Sequence, residues 1–117
     1  MFALSTDLKF HLYNKATDMR KSFDGLSGII QNHLGCNPCN GEVFMFINKT
    51  RDKIKLLHWQ GSGFTLYYKR LEQGTFEIPR YAPGVGSVTL SYTQLAMIID
   101  GLSIKNLQKR ERYQAPV

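Results

Sequence analysis

Acidic residues are scarce in this chain. Nine Asp and Glu stand against fifteen Lys and Arg, a formal net charge of +6. So few scattered carboxylates define no two-metal catalytic site. Their deficit also creates a field that draws polyanions: nucleic acid, an anionic membrane surface or an acidic protein. Cysteine is scarcer still. Two thiols, Cys36 and Cys39, do not make the bridge framework of a small secreted domain. No apolar run approaches the ~18 residues of a membrane helix. The first residues lack the basic start, apolar centre and cleavage site of a secretory signal. The cytoplasm is the expected location, with no membrane partner. Catalytic motifs are missing as well. Pro83-Gly84-Val85-Gly86 is not followed by the Lys and Ser/Thr of a phosphate loop, and no G-x-S-x-G elbow occurs. The expectation is a protein that is not an enzyme and carries no cofactor.

What is present is an ordinary globular composition, 43% hydrophobic over 117 residues. That is enough for one domain, 1–117, to bury a core without disulfides. Residues 9–13 (KFHLY) alternate polar and apolar as a short strand does. Residues 18–34 predict a helix, because Met19, Phe23, Leu26, Ile30 and Leu34 repeat at the spacing of one buried stripe. Thr17 or Asp18 is its expected cap. Gly25 and Gly28 weaken it, which predicts close approach of another element.

The centre is β-rich: strands over 42–47 (EVFMFI), 53–59 (KIKLLHW) and 64–71 (FTLYYKRL), with polar turns at 48–52 and 60–63. Loops this short make the three strands antiparallel neighbours. Residues 75–78 are read as an extension of the meander and 81–87 as a loop. A second helix over 92–100 carries the best local signal. Ser91 and Gln94 have capping-box spacing, Leu90 and Leu95 that of a hydrophobic staple, and Gly101 suits a left-handed end. A basic tail from about 105 is expected to be flexible. The fold class is α+β, a small antiparallel meander of three to five strands packed with two helices.

Two clusters invite a chemical reading. His33, Cys36 and Cys39 have soft-metal spacing, but a structural zinc wants four ligands and His58 or His11 would have to arrive through folding. No metal site is assigned. The central hairpin is more informative. If Trp59 pairs with Phe64, then Lys55 faces Tyr68 and Lys53 faces Arg70. One face then holds Lys53, Lys55, Leu57, Trp59, Phe64, Leu66, Tyr68 and Arg70, apolar near the turn and basic at the open end. Cations that neutralise phosphates beside rings that stack on bases are the surface of a single-strand binder. The competing reading makes the aromatics core and leaves the cations at the surface. Arg20 and Lys21, placed in the first turn of helix one, oppose its dipole, which suits a nearby anion or is offset by Asp18 and Asp24 within reach.

Several phrases resemble one known family. TDMRKSFDGL (17–26), GEVFMF (41–46), RDKIKLLHW (51–59), GFTLYYKRLEQG (63–74) and LSYTQLAMIIDG (90–101) are similar, in order, to the TnpB or Orf2-like accessory proteins of IS66 insertion sequences. These are unrelated to the RNA-guided nuclease that shares the TnpB name. The resemblance implies a helper in transposition whose strand-transfer chemistry belongs to a separate transposase, and it carries over no catalytic residues. Asp18, Met19, Arg20, Lys21, Lys55, Lys69, Arg70 and Glu72 match the family pattern. Residues 36–39 depart from it, as does the 60–62 turn, which lacks the expected acid. The resulting expectation is a non-catalytic accessory factor that binds DNA through Arg20, Lys21, Arg51, Lys53, Lys55, Lys69 and Arg70. The alternative is a subunit that holds the transposase through an aromatic patch of Trp59, Phe64 and Tyr67. The oligomeric state is not legible.

Overall fold

The computed structural model of the chain describes residues 6–79 and 84–101. The tail from about 105 lies outside them, as do residues 81–83 of the 81–87 loop, whose last residue, Ser87, belongs to a strand. Chain order is β1 (Phe10–Tyr13), α1 (Phe23–Asn32), β2 (Val43–Ile47), β3 (Lys53–Trp59), β4 (Phe64–Arg70), β5 (Ser87–Leu90) and α2 (Tyr92–Asp100). The five strands form one sheet in the order β4-β3-β2-β1-β5.

The meander is confined to β2, β3 and β4. β1 joins it parallel to β2, with Phe10 opposite Val43, and β5 closes the other edge antiparallel to β1. The α+β class stands, with a mixed sheet. A parallel pair needs a crossover between its strands, and α1 supplies it. Residues 75–78 are not a strand; Phe76 instead drops into the core and its N–H donates to the Arg51 carbonyl at 2.8 Å.

The helices cover opposite faces of the sheet. On one face Leu95, Ile98 and Ile99 of α2 pack on Phe10, Leu12, Val43, Met45, Ile47, Ile54 and Leu56. On the other, Leu26, Ile29 and Ile30 of α1 pack on Tyr13, Phe44, Phe46 and Leu57. This explains the unbroken apolar run VFMFI: β2 is central, covered on both sides and buried at every residue. Each of its larger side chains contributes about 1.5–3 kcal/mol by leaving water. Truncating Phe46, fully buried, would cost about 3–5 kcal/mol.

Helix α1 is shorter than its apolar spacing predicts. It begins at Phe23 after Ser22, which makes no side-chain cap bond, so neither Thr17 nor Asp18 caps it. Residues 18–21 form a turn ahead of the helix; Arg20 and Lys21 therefore do not oppose its dipole from within. Phe23 is exposed rather than part of the buried stripe. Gly28 faces open space and a Cβ at Gly25 would meet only the Lys21 side chain, so no second element accounts for these glycines. Helix α2 follows its local signals closely. Gln94 N–H donates to Ser91 Oγ, Ser91 N–H donates to Gln94 Oε1, and Gly101 ends the helix at φ 83°.

Candidate nucleic-acid interface

The predicted hairpin register holds throughout: Trp59 opposite Phe64, Lys55 opposite Tyr68, Lys53 opposite Arg70. The shared face grades from apolar at the 60–63 turn to cationic at the open end. Near the turn Trp59 and Phe64 meet edge to face at 5.0 Å, and Phe64 and Leu66 pack on the α1 core. At the open end Tyr68 is 50% exposed.

Two adjoining clefts border that end. The larger, about 500 Å³, is lined by residues 16–20, by Asn48, Lys49 and Thr50, and by Lys53 and Tyr68. The second, about 300 Å³, shares Lys53 and Tyr68 and adds Arg70 and Glu72. The segments that line the larger cleft follow the carboxyl ends of the parallel strands β1 and β2, where open sheets containing parallel strands commonly take ligands.

The rim is held by local hydrogen bonds. Asn48 Oδ1 accepts from the N–H groups of Asp52 and Lys53, while Asn48 Nδ2 and Thr50 Oγ1 donate to Asp52 Oδ1 at 2.7 and 2.8 Å. These bonds, Asn48's first, hold the Asp52 carboxyl below its usual range. The turn also needs Arg51 in the left-handed region at φ 60°, an uncommon state for a residue with a Cβ. Opposite, Arg20 clamps Asp18 through Nε and Nη2, and that bonding brings the Asp18 carboxyl down to about 2. Arg70 is tied similarly to Glu72 at 2.8 Å.

The structure separates the seven predicted cations. Arg20, Lys53 and Arg70 border the clefts. Lys21 is exposed in the turn beside them. Arg51 lines a neighbouring depression of about 140 Å³ that shares Ala16, Asn48 and Lys49 with the larger cleft. Lys55 is not a surface cation. It is 5% exposed, and its Nζ donates to the Met19 and Lys21 carbonyls at 2.8 and 2.7 Å. Burial pushes its pKa down while the Asp18 charge pulls it back up. Lys55 therefore pins the 18–22 turn to the sheet. Lys69 lies on the opposite face and donates to the Ile99 carbonyl near the end of α2 at 3.2 Å. One cation was missed: Lys49, exposed on the cleft rim, belongs to a stretch that sequence reasoning treated only as a turn. The aromatic patch does not form either, because Tyr67 packs on the α2 core, away from Trp59 and Phe64.

His33 Nδ1 is hydrogen-bonded to the Tyr13 hydroxyl, His11 to Glu42, and His58 Nε2 to the Gly41 carbonyl. Among the described residues no three His, Cys, Asp or Glu side chains converge as metal ligands, and no helix is long and apolar enough to cross a membrane.

Fold and site thus define a small mixed-sheet α+β domain with a cation-rimmed cleft at one end of its sheet. The chain belongs to the family described as IS66 Orf2 like protein, whose sequence model matches residues 8–109. The family is one of accessory proteins in insertion-sequence transposition and is generally non-catalytic. Two relatives come from Sinorhizobium fredii (strain NBRC 101917 / NGR234). Uncharacterized protein y4jC is 26% identical over 94% of this chain and 92% of its own length. Uncharacterized protein y4hO is 33% identical over 82% of each. No solved structure matches.

Proposed function

We propose that this protein is a non-catalytic accessory factor that holds DNA of its mobile element in the cytoplasm and presents it to the separate transposase. The observation that carries the reading is the gathering of Arg20, Lys49, Lys53 and Arg70 around two adjoining clefts that share Lys53 and Tyr68, with Lys21 and Arg51 alongside. Such cations bind phosphate and release counterions whatever the base sequence, so affinity falls steeply with salt. Asp18 and Glu72 temper the site by pairing with two of the arginines. Among the described residues Lys49 and Lys53 form no ion pair, and the Asp52 carboxyl lies within electrostatic reach of Lys53.

The test is a salt-titrated binding assay with DNA, comparing wild type with a Lys49→Ala, Lys53→Ala, Arg70→Ala variant. Each phosphate contact removed should flatten the logarithmic salt dependence by about one. Binding that is absent at low salt, or unchanged in the variant, would refute the proposal. Retention of the transposase by nuclease-treated protein would then favour a purely protein-holding role.

A further inference from the structure

The cleft also bears on which form of DNA it takes, an inference that rests on the phosphate-binding reading above. Tyr68 is the exposed ring at the junction of the two clefts and lines both. Its position is fixed from the protein side. The buried Lys55 Nζ lies 4.6 Å from the ring centroid, held by two backbone carbonyls, so one face of the ring is backed by a cation and the ring is half open to solvent. Lys53 and Arg70 stand on the same sheet face, one on the neighbouring strand and one on Tyr68's own.

The cationic surface is concave, whereas proteins that read a duplex project a helix or a two-stranded ribbon into the groove. The QGSG turn of 60–63 between β3 and β4 carries no cation, and the two in the 48–52 turn, Lys49 and Arg51, line depressions. A cleft of about 500 Å³ is of small-ligand size. In a duplex the base faces are already stacked on one another. In a single strand they are free, and stacking on an aromatic ring beside cations is how sequence-tolerant single-strand sites work.

We propose that the cleft binds single-stranded DNA by stacking an unpaired base on Tyr68, with Lys53, Lys49 and Arg70 holding the flanking phosphates. Tyr68 gives the site its preference for an unpaired strand; the cations give it most of its affinity.

The experiment measures binding of a fluorescent single-stranded oligonucleotide, the same strand with abasic sites, and the matching duplex. The proteins are wild type, Tyr68→Ala and Tyr68→Phe, each checked for folding by the fluorescence of Trp59. Tyr68→Ala should weaken binding of the intact single strand roughly tenfold, within the range that alanine replacement of a stacking ring produces. It should leave duplex binding and the salt slope unchanged. Tyr68→Phe should bind like wild type, and the abasic strand should bind wild type no more tightly than the intact strand binds Tyr68→Ala. If Tyr68→Ala binds the intact strand as wild type does, or the abasic strand binds wild type as tightly as the intact one, stacking is overturned while the phosphate reading survives. Absence of binding to any of the three nucleic acids overturns both. Should Tyr68→Ala fail to fold, Tyr68→Phe and the abasic strand decide the matter alone.

Discussion

Replacing Lys55 with methionine separates a structural cation from the binding cations around it. The substitution keeps an unbranched apolar stem and removes the ammonium that donates to the Met19 and Lys21 carbonyls. A hydrogen bond to a charged group contributes about 1.5–3 kcal/mol net. Burial of the ammonium, which lowers its pKa, offsets part of the sum for two such bonds. The carbonyls left behind cost more where water cannot reach them. The expected loss is about 2–3 kcal/mol, a large share of the ~5–15 kcal/mol that a domain has. For a chain of this size that lowers the melting temperature by about 10 °C. Trp59, the single tryptophan, reports both thermal and urea unfolding from within the same strand. The salt dependence of DNA binding should keep its slope in Lys55→Met, whereas Lys53→Ala should lower it by about one. A Lys55→Met protein that unfolds with wild type would show that the two carbonyl bonds do not hold the turn, and one that loses slope as Lys53→Ala does would show that Lys55 faces phosphate.

Asp18→Asn should change the acid limb of the stability curve. The folded carboxyl titrates at about 2, below its ordinary 3.8, so its stabilising effect is present above the ordinary value and is lost as pH falls through about 2. Unfolding measured between pH 4 and 2 should therefore be flatter in Asp18→Asn than in wild type, and the freed Arg20 should tighten DNA binding at neutral pH. Gly28→Ala, in a helix interior with open space at the Cβ, should raise the urea midpoint by about 0.5–1 kcal/mol of stability; a loss would show that the space is used. Lys69→Met should cost about 1 kcal/mol through the lost bond near the end of α2, with DNA affinity unchanged. A fall in affinity with an intact melting curve would put a binding surface on the α2 side as well.

The sequence alone determined the features whose causes are local. Strand register between β3 and β4 follows from a short turn and the alternation of side chains, so the pairing of Lys53 with Arg70 and of Lys55 with Tyr68 was legible before any coordinates. The Ser91–Gln94 box and Gly101 mark α2 for the same reason: each acts on backbone groups within a few residues. The quoted phrases marked the family. Tertiary structure decided what depends on partners distant along the chain. Apolar spacing let Met19 and Phe23 pass as helix interior, whereas the bonds from Lys55 to the Met19 and Lys21 carbonyls, together with those of the Arg20 and Lys21 N–H groups to Asp18, hold residues 18–21 in a turn beside the cleft. VFMFI identified a strand, and covering by helices on both faces made it central. Alternation put Lys55 and Lys53 on one face without distinguishing them. The segment packed above Lys55 buries it, while the gap beside Lys53 leaves that lysine at the cleft; the difference lies in elements more than thirty residues away, beyond the reach of any local pattern.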